Sequence, residues 1–234
     1  MDVNKEIGAK IRFYRKKKGL TVDQLAQIVH KSKSTISKYE SGAIVMDILS
    51  LYDLAEALDV KVTQLLYLPL KDASSAPAGF VPAFFNGLNH VYMYYFDGRI
   101  NDINRCVIDI AGQTQPGVYQ IQMYMNVQDF EHYTLCENIY EGTMVHYDAL
   151  TMMVLQNLGM EMDRYQIGVP SPYMNAPVKW ALAFGISSRP LMPTSTKVLL
   201  SKVVQPETAE FKKSLRLSKE DIRLMKLYNM LTVM

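Results

Sequence analysis

Cysteine is scarce in this 234-residue sequence, with Cys106 and Cys136 its two examples. Two thiols without a Cys-x-x-Cys pair exclude a disulfide framework and a Cys-based zinc site, and they read as ordinary buried thiols. Histidine is nearly as sparse. His30, His90, His132 and His146 show no His-x-x-x-His spacing and no HExxH pair, so no metal site is expected. Glycine-rich phosphate loops of the P-loop or dinucleotide type are missing, which removes nucleotide-driven chemistry and implies no cofactor. No run approaches the ~18 consecutive apolar residues of a bilayer-crossing helix, and residues 1–10 lack the apolar block of a secretory signal. The expectation is a soluble, cytoplasmic protein that does not enter a membrane. No nucleophile, base and orienting residue can be picked out together, which ranks an enzyme last among the readings.

What is present argues for two domains. The length exceeds a typical single domain of ~100 to 150 residues, and 49% apolar residues suffice for a real core. Net charge is only +2, but it is unevenly spread: residues 1–68 carry 11 Lys and Arg against 8 Asp and Glu, and residues 80–205 carry 7 against 10. The tail from Pro206 is basic again, 6 against 4. A basic front end and an acidic middle fit an N-terminal module that meets phosphate and a second module that does something else.

Apolar periodicity predicts five helices at the front. Ile7, Ile11 and Tyr14 form a stripe over residues 4–18, closed by Gly19. Thr21 with Gln24 makes a capping box for a helix over 22–29, and Ser32 caps a short helix from Lys33 to Glu40, ended by Ser41-Gly42. Ile48, Leu51, Leu54, Ala55 and Leu58 mark the fourth helix, and Val62, Leu65 and Leu66 the fifth. Helices this short need a shared core, assigned to Ile11, Leu20, Leu25, Ala26, Val29, Ile36, Leu51, Leu54 and Leu58. Residues 69–79, rich in proline and small side chains, read as a linker.

Beyond the linker the period becomes two. Tyr119, Ile121, Met123, Met125 and Val127 alternate with Gln120, Gln122, Tyr124 and Asn126, and Val178, Trp180, Leu182, Phe184 and Ile186 alternate with Lys179, Ala181, Ala183 and Gly185. Asp97-Gly98 is a strong hairpin signal and Glu141-Gly142 a weaker one. Residues 149–158 fit a helix or a strand equally. Ser218 with Asp221 starts a final helix whose apolar face carries Ile222, Met225, Leu227, Tyr228 and Leu231. The predicted class is α+β in two domains. Residues 1–68 form a five-helix unit, and residues 80–234 form a mainly antiparallel β domain, sandwich or barrel, with a terminal helix.

Three stretches taken together carry a resemblance: Leu20-Thr-Val-Asp-Gln-Leu-Ala-Gln-Ile-Val29, Ser34-Thr-Ile-Ser-Lys-Tyr-Glu-Ser-Gly42 and Leu54-Ala-Glu-Ala-Leu-Asp-Val60. Over about residues 7–66 the chain resembles the Xre family, the λ repressor and Cro-like helix-turn-helix domains. The resemblance implies a transcriptional regulator whose partner is double-stranded DNA. It makes the helix from Lys33 the recognition helix, with Lys33, Ser34, Thr35, Ser37 and Lys38 facing base edges and Thr21, Gln24 and Ser41 on phosphates. Arg15 and Glu40 match a pair that is structural in relatives. Val22 departs from the pattern, since relatives often carry a phosphate-reaching Gln there. That loss is the one argument for the alternative of an antirepressor or adaptor that uses the motif as a protein-binding surface.

The resulting expectation is a homodimer on an inverted-repeat operator, with the β domain and the C-terminal helix dimerising. Ala78-Gly79 resembles the cleavage point of self-cleaving LexA-like repressors, but the Gly-Asp-Ser-Met nucleophile context is missing, so it reads as linker. Tyr92, Tyr94, Met123, Met125, Met144 and Trp180 have the composition that lines a pocket for a small apolar effector. The same residues at strand spacing equally make a core, and both readings stand at this point.

Overall fold

A computed structural model describes residues 2–66, 81–136, 138–170, 175–188 and 190–233. The chain divides into two compact units, Met1–Pro69 and Leu70–Met234. The linker expected at 69–79, with its Ala78-Gly79, lies outside the described residues.

Among the described residues the first unit holds five helices: α1 Val3–Lys17, α2 Val22–Ile28, α3 Lys33–Glu40, α4 Ile48–Leu58 and α5 Val62–Leu66. Four starts are fixed by side chains that satisfy the open backbone N–H groups: Asp2 accepts from Asn4 and Lys5, Thr21 from Gln24, Ser32 from Thr35, and Asp47 from Ser50. Ile11, Leu25, Ala26, Val29, Ile36, Leu51, Leu54 and Leu58 form the buried cluster, as the stripes predict, with Leu20 half-buried against it. Ile48 is an exception to its stripe and stands 73% exposed.

The described residues of the second unit form a closed barrel of eight antiparallel strands, each paired with the next in chain order and the last with the first. They are β1 His90–Asp97, β2 Asp102–Gln115, β3 Val118–Met125, β4 Asn138–His146, β5 Leu150–Asn157, β6 Arg164–Pro170, β7 Val178–Ser188 and β8 Leu191–Ser201. Closure removes the open sheet edges that an antiparallel array otherwise exposes. Residues 149–158 resolve as strand β5. The Asp97-Gly98 turn joins β1 to β2, with Asp97 facing Asp102. Glu141-Gly142, expected as a turn, instead sits in the middle of β4. Glycine is required there by close approach, because a Cβ on Gly142 would lie 1.8 Å from the Val154 carbonyl oxygen.

The inside of the barrel is apolar and filled by Met93, Cys106, Ile108, Ile121, Met123, Tyr140, Met144, Met153, Ile167, Ala181, Ala183 and Leu200, among others. β3 turns Tyr119, Ile121, Met123 and Met125 to the interior as predicted, but its other face is covered as well, with Gln122 and Tyr124 buried. β7 inverts the expected one: Lys179, Ala181, Ala183 and Gly185 face the interior, and Phe184 stands 53% exposed outside. The reason is volume. Tyr165 of the neighbouring strand occupies the interior so fully that a Cβ on Gly185 would come within 2.4 Å of its ring, leaving no space for a side chain at that point of the inward face of β7.

Two short C-terminal helices follow, α6 Ala209–Ser214 and α7 Lys219–Tyr228. Phe211 of α6 and Leu215 pack outside the barrel on Tyr94, Ile103 and Leu199. α7 starts with the Ser218–Asp221 capping box, and Asp221 also takes Lys197 of β8 at 2.9 Å.

Candidate nucleic-acid interface

The short helix α3 is held from behind. Ile36 and Tyr39 are buried, so the helix turns Lys33, Ser34, Ser37 and Lys38 outward, and all four are exposed. Its end is fixed to α1 by Arg15, whose guanidinium forms a two-pronged pair with Glu40, one prong at 3.0 Å, and donates at 2.7 Å to the Leu20 carbonyl. The Glu40 carboxylate raises the Arg15 pKa against the opposing effect of burial. Gly8 makes this docking possible, since a Cβ there would meet the Tyr39 carbonyl oxygen at 2.3 Å. Sequence reasoning did not single out Gly8; its one signal was a glycine inside a helix stripe, which marks close approach.

The remaining residues expected at the interface have individual constraints. Lys33 Nζ sits 2.6 Å from Asp23 of α2 across an exposed ion pair. Thr35 is half-buried, its hydroxyl 2.8 Å from Ser32 Oγ, so its polar group serves the helix start. Thr21 and Gln24 form both halves of the capping box, at 2.8 and 3.2 Å, and both are exposed. Ser41 donates its hydroxyl proton to the Lys38 carbonyl at 3.1 Å. Thus all eight residues stand on α2, α3 or their ends, within one module, with seven of them exposed.

The six residues expected to line an effector pocket are not brought together. Met123, Met125 and Met144 lie in the barrel interior, whereas Tyr92, Tyr94 and Trp180 belong to the cluster outside it. The barrel wall separates the two sets. Each is tied by packing: Tyr94 receives the Gln205 N–H at 3.0 Å, and Lys197 stacks 4.4 Å above Trp180. They do not form one pocket, because alternation along each strand sends neighbouring positions to opposite faces, and these residues fall on different sides of their strands. Elsewhere, Asp129, Glu131 and His132 hold donor atoms within 4.8 Å of one another, fully on the surface, with His132 paired to Asp129. Among the described residues no helix is long and apolar enough to cross a membrane.

A small helical module with an exposed, rigidly backed third helix defines the helix-turn-helix class. Residues 8–69 match the family model described as a helix-turn-helix domain, so the N-terminal unit is a helix-turn-helix domain. A competence pilus inhibition repressor from Acinetobacter baylyi is 41% identical over 63 residues, 27% of this chain and 57% of that protein. The chain thus spans little more than half the length of the curated relative it matches. Among solved structures, the N-terminal DNA binding domain of SinR from Bacillus subtilis is 33% identical, covering 28% of this chain and 96% of that one at a TM-score of 0.26. The clp gene regulator ClgR from Corynebacterium glutamicum is 28% identical, covering 27% and 83% at 0.27.

Proposed function

We propose that the chain is a sequence-specific DNA-binding transcriptional regulator that seats α3 in the major groove of duplex DNA. The observation that carries this is the outer face of α3: Lys33, Ser34, Ser37 and Lys38 project from a helix whose inner face is locked into the core and whose end is clamped by Arg15 and Glu40. Lysine donates to guanine O6 and N7, and serine serves either kind of base edge. Thr35, its hydroxyl engaged by Ser32, contributes its methyl group more than its oxygen. Thr21, Gln24 and Ser41 meet phosphates from the rim and set register; Ser41 turns its hydroxyl away from the Lys38 carbonyl to do so. Val22 takes no part in this.

The active form in this reading is a homodimer on an inverted repeat, its half-sites about one helical turn apart. Exposed apolar side chains in the second unit support self-association: Val154, Phe184 and Leu191 on the barrel, Leu227 and Tyr228 on α7. The barrel unit then serves for pairing and for sensing an effector.

The test is selection of bound duplexes from a random pool, then anisotropy titration of the winning sequence with Lys33→Ala and Lys38→Ala. Each substitution should cost about 1–3 kcal/mol of affinity while the circular dichroism stays unchanged. Failure to enrich any sequence at low salt, or affinity indifferent to both substitutions, would overturn the reading.

A further inference from the structure

Among the described residues two polar nitrogens inside the barrel have no hydrogen-bond partner, Lys179 Nζ and His146 Nε2, and both stand at the end of the barrel where β4 finishes and β7 begins. That end is closed by Phe84 and Phe85, buried side chains that meet edge to face at 4.9 Å. Lys179 is 5% exposed, and its ammonium stands 5.3 Å from the centre of the Phe84 ring. Lys202, just past β8, approaches the same ring at 5.4 Å. Its hydrogen bonds go to two neutral oxygens, the Ala83 carbonyl at 3.5 Å and Asn175 Oδ1. Among the described residues neither lysine has a carboxylate partner.

A buried cation without a counter-charge is costly, several kcal/mol for the ion, and a cation over a ring recovers only about 0.5–2 kcal/mol. Here a buried cation, Lys179, and a half-buried one, Lys202, face one ring. Burial first, and Lys202 second, pull the Lys179 ammonium down to about 8, the direction expected of a charge held without its opposite. A folding requirement does not explain Lys179: methionine would fill the same volume at no electrostatic cost. His146 adds a second open position beside the plug, its ring 5.1 Å from Phe85, with Nδ1 engaged by Thr151 at 2.9 Å and Nε2 left over.

We propose that the Phe84-closed end of the barrel binds a small molecule bearing an oxyanion, its acid group lodged between Lys179 and Lys202 and its apolar body against Phe84 and Phe85. This rests on the effector-sensing half of the proposed function and is independent of DNA binding. It gives the effector a charge, and it moves the site from the six Tyr, Met and Trp residues suggested by composition to lysines on β7 and after β8. Carboxylate and phosphate share the required chemistry. Phe84 lies in the segment that leads into β1 from the helix-turn-helix side of the sequence, so a ligand that displaces its ring acts first on that segment.

The experiment is isothermal titration of the full-length chain, without DNA, using octanoate and inorganic phosphate as separate probes. One of the two should bind. Binding of octanoate assigns a carboxylate with an apolar body, and binding of phosphate a compact oxyanion. Lys179→Met should weaken that binding about 30-fold or more, the loss expected when one partner of a buried charged contact is removed, and Lys202→Gln about fivefold. Without ligand, Lys179→Met should also melt higher than the parent. No heat from either probe, or equal affinity in the parent and Lys179→Met, overturns the proposal. Should Lys179→Met fail to fold, Lys202→Gln decides: unchanged affinity overturns the site. Loss of DNA binding alone leaves this result untouched, so the two readings fail separately.

Discussion

Arg15 on the first helix and Glu40 at the end of the third form a bidentate ion pair whose side chains are only 9% and 8% exposed. It joins residues 25 positions apart and fixes the angle at which α3 leaves the module. A buried pair of this kind contributes little net stability when both partners are exchanged for well-packed apolar residues, yet removal of one strands the other without compensation. Glu40→Ala is therefore expected to destabilise the N-terminal unit by about 3–5 kcal/mol. Arg15→Met combined with Glu40→Leu should recover most of that loss. Urea unfolding of a fragment spanning residues 1–69 checks both; a double variant as unstable as the single one would show that the pair does more than neutralise itself.

Gly8 gives a sharper steric test of the same junction. With a would-be Cβ only 2.3 Å from the Tyr39 carbonyl and 2.8 Å from that of Glu40, Gly8→Ala has to push α1 away from α3. Overpacking of this type costs about 1–3 kcal/mol even though alanine is the better helix former. Since the shift tilts α3 itself, DNA affinity should fall by more than the exposed-face substitutions that leave the backbone in place. A Gly8→Ala protein with unaltered melting temperature would show that the contact relaxes freely.

The Lys33–Asp23 pair at 2.6 Å makes a prediction in the opposite direction. In the proposed complex Lys33 must exchange its carboxylate for a base edge, while Asp23 stays near the phosphates and repels them. Asp23→Asn should raise duplex affinity by about three- to fivefold at low salt, and the gain should shrink as salt rises because exposed charges are screened. Anisotropy titrations between about 50 and 200 mM salt measure both effects. A loss of affinity in Asp23→Asn would mean that Asp23 orients Lys33 instead of competing for it.

Much of the helical unit was legible because its signals are local: caps such as Thr21 with Gln24 and stripes such as Leu51, Leu54 and Leu58 sit within a few residues of one another. The contacts that aim α3 were partly legible. Arg15 and Glu40 came from family resemblance, whereas Gly8 depends on a neighbour more than thirty positions away. In the barrel, period two announces a strand but does not say which side is the core. β7 was read with its large apolar residues inward, and the outcome turned on Tyr165, a residue on another strand that fills the interior opposite Gly185. The separation of the six effector candidates was not legible for a related reason: Met123 and Tyr94 look alike as compositional signals, but they lie on opposite sides of the wall. Lys179 looked like a polar, outward position and became the candidate ligand residue only when closure placed it inside.

Two titrating groups in the barrel unit should leave opposite marks on stability. Burial pushes the Asp109 carboxyl up to about 6, although Tyr133 donates to it at 3.1 Å. A carboxyl with a raised folded pKa binds its proton more tightly when folded, so its contribution is intact at low pH and is lost as pH rises from about 4 to 6. Burial pulls the His146 imidazole down to about 4 from its ordinary 6.5, so its contribution is intact above 6.5 and is lost as pH falls toward 4. Between pH 4 and 6 the two slopes oppose each other in the parent chain. Asp109→Asn, which keeps an acceptor for Tyr133, should be more stable than the parent at pH 7 by up to about 3 kcal/mol, with the advantage fading toward pH 4. His146→Phe should show the reverse and lose the acid-side weakness. Urea midpoints at pH 4.5, 5.5 and 7 for the three proteins test the pair. An Asp109→Asn advantage that stays constant across that range would mean that the carboxyl is not the source of the slope.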